Sequence, residues 1–246
     1  MKDKKNSLKA EIVYGVHALI EVLKAKKRKL LSIYTTKPLP KSWDRVKQYL
    51  PKSIPNIQYV SRDVLDRISG CKDHNNILAW VTPFKYRQKI FDPAQSPYLL
   101  MLDSIQDVRN VGAILRSAYC TGVNGVILCK SHGALLTSAA FKASAGLAEH
   151  LDIYLVNSTH QAIHELKNSG YNIYVATLGG QSTLITEYKE PLCVIIGNEE
   201  TGVNKEIKSA GVNIMLPQKV HDISYNASVA AGILLFIIST RLSIIK

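Results

Sequence analysis

Apolar positions along this chain recur in short blocks that switch between a period near two and a period near 3.6. Ile12 to Tyr14 reads as a strand and leads into Val16, Leu19, Ile20 and Leu23 at helical spacing. Leu30 to Tyr34 reads as a second strand, Trp43 to Leu50 as a helix, Ile57 to Val60 as a strand, Arg62 to Ile68 as a helix and Ile77 to Val81 as a closing strand. These blocks predict a small α/β module over residues 11–82, after a basic tail at 1–10. Residues 83–97 carry Pro83, Pro93 and Pro97 among Lys, Arg and Gln, the composition of a linker.

Beyond it, strand-like runs recur at Leu99 to Leu102, Val126 to Cys129, Ile153 to Val156, Ile173 to Ala176, Leu192 to Ile196 and Val212 to Leu216. Helical patterns at Val111 to Tyr119, Thr159 to Lys167, Asn204 to Ala210 and Tyr225 to Leu242 separate or follow them. Strands apolar on both faces, alternating with helices, predict an α/β domain over residues 98–246 with a parallel sheet covered on each side.

Charge adds a division of labour. The net charge is +12, and residues 1–92 hold 20 Lys or Arg against 8 Asp or Glu, whereas residues 93–246 hold 11 of each. The excess therefore falls on the N-terminal third, the footprint of a polyanion binder whose cations neutralise phosphates and release counterions. The run Lys26 to Lys29 follows a predicted helix end, where cations also favour the helix dipole. The Lys-rich first ten residues lack the apolar centre of a secretory signal. Ala227 to Ile238 falls short of the roughly 20 residues a membrane span needs. Four cysteines without a Cys-x-x-Cys pair, three of them in or beside apolar runs, read as free thiols. A cytoplasmic protein without membrane association is expected.

Three blocks carry candidate chemistry. In Asn110-Val-Gly-Ala-Ile-Leu-Arg116, Asn110 reads as a helix N-cap and Gly112 as a point of close backbone approach. Arg116 lies among Ile114, Leu115 and Ala118, where a guanidinium needs an anionic or hydrogen-bonding partner; a site role and a buried ion pair both stand. Gly197-Asn-Glu-Glu-Thr-Gly202 has P-loop glycine spacing but continues Val203-Asn204 where that motif needs Lys and Ser or Thr. Its carboxylates would repel a triphosphate, so it suits a ligand with hydroxyls or positive charge; a helix start with Glu in its first turn is the structural alternative. In the third block Leu216-Pro217 ends a strand, and Ser224, Asn226 and Ser228 enter an apolar helix, where they need hydrogen-bond partners. Capping by Ser224 accounts for one of them. His221-Asp222-x-Ser224 has triad residue types, but sequence neighbours seldom converge, which argues against a hydrolase.

In this order and spacing the blocks resemble the signature motifs of the SpoU (TrmH) family of RNA ribose 2′-O-methyltransferases. Residues 98–243 look like its catalytic domain. Tyr14-Gly-x-His-Ala-Leu-x-Glu21 and Asp73-His-Asn-Asn-Ile-Leu-Ala79 look like the substrate-binding domain of the branch that methylates a guanosine in 23S rRNA. The resemblance implies a C-terminal trefoil-knot (SPOUT, α/β-knot) domain on a parallel sheet, a smaller α/β RNA-binding domain similar to ribosomal protein L30e, a homodimer, and S-adenosylmethionine as methyl donor. It implies a catalytic site of Asn110, Arg116, Glu199, Ser224 and Asn226, with Thr177, Gly197, Leu216, Tyr225 and Ala227 at the donor and no metal. The chain departs from the family pattern at Tyr225 and Ala227, where Leu and Val are usual, and at His74-Asn75-Asn76, where His-Gln-Gly is common. Two alternatives share much of this pattern: a tRNA-directed member, and a non-catalytic RNA-binding ribosome assembly factor.

The reaction is an in-line displacement that needs alignment and loss of a hydroxyl proton. A guanidinium stays protonated in proteins, so Arg116 is expected to bind the adjacent phosphate and polarise the hydroxyl, held by Asn110 and Glu199.

Overall fold

The computed structural model describes residues 10–53, 56–198, 202–203, 205–220 and 223–246. They fall into two compact units, one running through Lys85 and taking in Ala145–Glu149, the other formed by Tyr86–Ser144 and His150–Lys246.

The first unit is built from β1 (Glu11–Tyr14), α1 (Val16–Ala25), β2 (Leu30–Thr35), α2 (Trp43–Lys47), β3 (Asn56–Tyr59), α3 (Arg62–Ser69) and β4 (Ile77–Val81). Its sheet has the order β1-β4-β2-β3, with β2 and β3 parallel and the pairs at β4 antiparallel. Side chains alternate across a strand, so neighbouring residues feed different cores. Val13, Ile77 and Ala79 join Leu19 and Val46 on one face, while Tyr14 and Leu78 join Leu65 on the other. α1 stops at Lys26, whose backbone is left-handed (φ 54°) and whose N–H donates to the Val22 carbonyl at 3.2 Å.

The basic run after α1 is not uniformly a phosphate-facing surface. The Arg28 side chain is buried and donates to Glu149 Oε1 at 2.8 Å, Glu11 Oε2 at 2.6 Å and the Thr82 carbonyl at 2.7 Å. A guanidinium satisfied inside the fold is unavailable to RNA.

The second unit contains β5 (Tyr98–Leu102), α4 (Val108–Cys120), β6 (Gly125–Cys129), α5 (Ser138–Ala143), β7 (Ile153–Val156), α6 (Thr159–Asn168), β8 (Asn172–Ser182), β9 (Leu192–Ile196), α7 (Lys205–Lys208), β10 (Val212–Met215) and α8 (Ala227–Arg241). Six strands in the order β10-β8-β9-β5-β6-β7 pair entirely in parallel. Every residue of β5, β6 and β9 is buried, as expected of strands covered on both faces. β10 lies on the far side of β8 from β9, so the chain between β9 and β10 crosses β8.

Two local features differ from the sequence pattern. α5 is absent from it, because six residues, Ser-Ala-Ala-Phe-Lys-Ala, give too short an apolar period to read. β8 runs six residues past Ala176, through Gly179-Gly180-Gln181, which carry no strand signature. Against β10, Val175 pairs with Asn213 and Gln181 with the next residue, Ile214, so residues 176–180 loop out of the ladder. Gly180 permits this because a Cβ there would stand 2.6 Å from the Asn213 backbone. Residues 86–97, within the expected linker, pack on the second unit: Phe91 is buried beside Met101 and Ile127, and Arg87 N–H donates to the Ile153 carbonyl at 2.8 Å. Two of the four cysteines, Cys129 and Cys193, are buried, while Cys120 is exposed and Cys71 half-buried. Among the described residues no helix is long and apolar enough to cross a membrane.

Candidate active site

The ends of β8, β9 and β10 and the start of α8 enclose a cavity of about 410 Å³. Thr177 reaches it because residues 176–180 leave the ladder, Gly197 because β9 ends one residue earlier, and Leu216 because β10 ends at Met215. Ser224, Tyr225 and Ala227 complete the wall. The structure therefore gathers at one place the five residues assigned to the donor and one assigned to catalysis. Gly197 closes tightly on the second glycine of its block: a Cβ would meet Val203 Cγ1 at 2.5 Å and the Gly202 carbonyl carbon at 2.7 Å. Gly202 has φ 62° and donates from its N–H to the Asn198 carbonyl at 2.9 Å. One polar atom at the wall lacks a mate: Thr177 Oγ1 is buried with no hydrogen-bond partner among the described residues.

Beside the cavity, the first turn of α4 meets the start of α8. Asn226, not Ser224, is the N-cap of α8; its Oδ1 accepts from Ser228 N–H at 2.9 Å, Ser228 Oγ at 2.6 Å and Val229 N–H at 3.4 Å. Its Nδ2 donates to Asn110 Oδ1 at 3.3 Å. Asn110 is likewise not the cap of its own helix. Asp107 holds that position, accepting from Arg109 N–H at 2.8 Å, and the Arg109 side chain and N–H keep the Asp107 carboxyl below the usual carboxylate range. Capping three residues earlier frees the Asn110 carboxamide to reach across to α8. Gly112 brings α4 against α5, where a Cβ would lie 2.5 Å from both the Ala140 carbonyl oxygen and Ala143 Cβ.

Arg116 is exposed, which removes the buried ion pair as its explanation. Its apolar neighbours Ile114, Leu115 and Ala118 point to the core from other faces of the same helix, and Arg116 shares its outer face with Arg109, seven residues before it. Among the described residues no hydrogen bond or ion pair holds the Arg116 guanidinium, so the expected clasp by Asn110 is not made. Glu199, the other expected partner, lies outside the described residues, as do His221, Asp222 and most of the basic tail.

A buried support at the end of β5 belongs to none of the three motif blocks. Asp103 Oδ1 accepts from Thr159 Oγ1 at 2.5 Å, and Ser104, at φ 59°, gives its carbonyl to Asn198 Nδ2 at 2.9 Å. The first bond ties the end of β5 to α6; the second, with Asp103 N–H donating to the Ile196 carbonyl at 2.9 Å, ties it to the Gly197 turn. The available signal was Asp103 as a carboxylate directly after an apolar strand, a residue type seldom buried without a partner.

Residues 97–236 match the SpoU rRNA Methylase family, and residues 12–87 match the family described as RNA 2′-O ribose methyltransferase substrate binding. YacO of Bacillus subtilis (strain 168), provisionally named a TrmH family tRNA/rRNA methyltransferase, is 30% identical over 240 residues, covering 92% of this chain and 94% of that protein. The 23S rRNA (guanosine-2′-O-)-methyltransferase RlmB of Pasteurella multocida (strain Pm70) is 30% identical over 245 residues, covering 95% of this chain and all of RlmB. The crystal structure of the SpoU methyltransferase AviRb from Streptomyces viridochromogenes in complex with the cofactor AdoMet superposes with a TM-score of 0.79 at 17% identity, covering 99% of this chain and 94% of that one. With matches over both units and a relative aligned along nearly its whole length, the chain belongs to the SpoU methylase family of RNA 2′-O-ribose methyltransferases.

Proposed function

We propose that this protein transfers a methyl group from S-adenosylmethionine to the ribose 2′-hydroxyl of a guanosine in 23S rRNA, in the cytoplasm. The observation that carries the reading is the cavity of about 410 Å³ beside the Asn110–Asn226 contact, since it joins a small-molecule pocket to motif amides suited to a hydroxyl. The residues present fit the donor. The cavity volume lies in the roughly 300–1,000 Å³ range of cofactor pockets. The mateless Thr177 hydroxyl offers a hydrogen bond, and the Gly197 turn lets backbone come close. Thr177, Gly197, Leu216, Tyr225 and Ala227 would hold it. When bound, the donor supplies an electrophilic methyl on a sulfonium.

The remaining work falls to the chain. Asn226 and Asn110 orient the ribose hydroxyl. The exposed Arg116 guanidinium binds the neighbouring phosphate and stabilises charge growing on the ribose oxygen, while the proton leaves to water. Glu199 and Ser224 complete the catalytic set. The guanosine target draws support from the 30% identity with RlmB.

We further read the chain as a homodimer with a knotted C-terminal domain and an N-terminal RNA-capture module of L30e-like form. Val229, Ile233 and Phe236 recur at helical spacing on α8 and are exposed, Phe236 by 58%, an apolar stripe that a second copy would cover. For the knot, the β9 to β10 connection crosses β8, and α8 bonds back to the turn after β8 through Arg241 Nη1 and the Leu184 carbonyl at 2.7 Å. Calorimetry with S-adenosylmethionine tests the donor: saturable heat that Gly197→Val abolishes is expected, and no heat from the wild-type protein would leave the assembly-factor reading in its place.

A further inference from the structure

One end of the N-terminal sheet carries a pocket that methyl transfer does not use. Strand register creates it: Thr35 at the end of β2 stands opposite Tyr59 at the end of β3 and Ile77 at the start of β4. The segments after β2, after β3 and before β4 therefore emerge together. They bound a pocket of about 460 Å³ whose wall holds three cations, Lys41, Arg62 and Lys72, one carboxylate, Asp73, and two carboxamides, Asn75 and Asn76.

The two amides stand on left-handed backbone, φ 51° and 57°, an uncommon region that asparagine tolerates better than most residues. A buried frame imposes it. Asn76 N–H donates to His74 Nδ1 at 3.0 Å, so Nε2 carries the ring proton and donates to Asp66 Oδ1 at 2.6 Å. The Thr35 hydroxyl donates to the Asn76 carbonyl at 2.8 Å. His74 is 0% exposed, so the ring is a strut, and the two asparagines beside it are among the residues that line the pocket.

Cations beside carboxamides match a phosphodiester with an accessible base edge, because phosphate pairs with Lys and Arg while an amide offers a donor and an acceptor together. A paired RNA helix hides its base edges in a deep, narrow groove, which leaves an unpaired nucleotide as the matching ligand. We infer that this pocket holds one unpaired nucleotide of the RNA substrate, its phosphate on Lys41, Arg62 and Lys72 and its base against Asn75 and Asn76. The inference rests on the N-terminal unit being the RNA-capture module.

The test uses the full chain and fluorescence anisotropy with two probes, an RNA hairpin with a mixed-sequence unpaired loop and a fully paired RNA duplex of equal charge. Wild-type protein binds the hairpin more tightly. Arg62→Ala with Lys72→Ala weakens hairpin binding at least tenfold and lowers the salt dependence of log K by about one to two. Asn75→Gly with Asn76→Gly, which keeps the left-handed backbone available, erases the hairpin preference and leaves the salt dependence unchanged. Wild-type hairpin affinity in both variants overturns the pocket assignment, as does an equal loss on hairpin and duplex. Failure of the wild-type protein to bind either probe overturns the capture reading itself, and this inference with it.

Discussion

Asn226 Nδ2 donates to Asn110 Oδ1 at 3.3 Å, so a single carboxamide both caps α8 and ties it to the first turn of α4. The two duties are separable by chemistry. Asn226→Asp keeps the acceptor that caps the helix and loses the donor, so we expect a melting temperature near wild type with methyl transfer down at least a hundredfold. Asn226→Ala loses the cap as well, at a cost of about 0.5–2 kcal/mol. Melting curves beside turnover on RNA check the pair; an Asn226→Asp protein of normal activity would rule out a role for the amide donor.

Gly112 is a packing constraint on the same helix. A methyl at this position meets the Ala140 carbonyl oxygen and Ala143 Cβ, each at 2.5 Å, and neither is the flexible end of a side chain. Gly112→Ala should destabilise the protein by about 1–3 kcal/mol through overpacking, read as a lower urea midpoint. An unchanged midpoint would mean that α4 and α5 can separate without penalty.

Arg28 shows that not every cation in the basic N-terminal unit faces phosphate. Its partner Glu149 is 0% exposed, so Arg28→Ala removes the cation facing a buried carboxylate and should cost about 3–5 kcal/mol. Arg28→Met with Glu149→Leu should recover most of that loss and leave the salt dependence of RNA binding unchanged. A shallower dependence in that double variant would place Arg28 on RNA instead.

Thiol reactivity should follow burial. Complete burial pushes the Cys193 thiol pKa far up, so the sulfur stays protonated and unreactive. In native protein an aromatic disulfide reagent should label exposed Cys120 rapidly and Cys71 more slowly, with Cys129 and Cys193 reacting only after denaturation. Peptide mapping of the labelled sites decides it, and early labelling of Cys193 would contradict its burial.

Alkaline pH should weaken the N-terminal unit. Burial, and next a hydrogen bond with Cys71, raise the Tyr14 hydroxyl to about 12 from 10.0. The unfolded chain therefore ionises first: stability from Tyr14 is complete below pH 10 and is lost as pH climbs toward 12. Urea midpoints taken at about pH 8 and about pH 11 should fall with pH; a rise would reverse the sign.

Much of this was legible because burial writes itself into strands. β5, β6 and β9 are apolar throughout and were readable as buried parallel strands. The end of β8 was not, since Gly179-Gly180-Gln181 offers no apolar alternation and its pairing depends on the distant Asn213 and Ile214. Cap positions failed for a local reason: Asp107 and Asn110 are equally good N-caps by residue type, and only packing against α8 selects between them. Arg116 looked buried from its sequence neighbours, but helical geometry turns it outward while Ile114, Leu115 and Ala118 turn in. The residues around the cavity came from motif resemblance rather than from period or charge, because a cavity joining residues 177, 197 and 225 is a property of topology.

Methyl transfer to a 23S rRNA guanosine can be read by nucleoside mass spectrometry on RNA from cells lacking this protein, incubated with purified protein and S-adenosylmethionine. New 2′-O-methylguanosine at a single position in 23S rRNA is the expected result, absent when Arg116→Ala protein is used. A methyl group on a base, or no incorporation into any RNA, would contradict it.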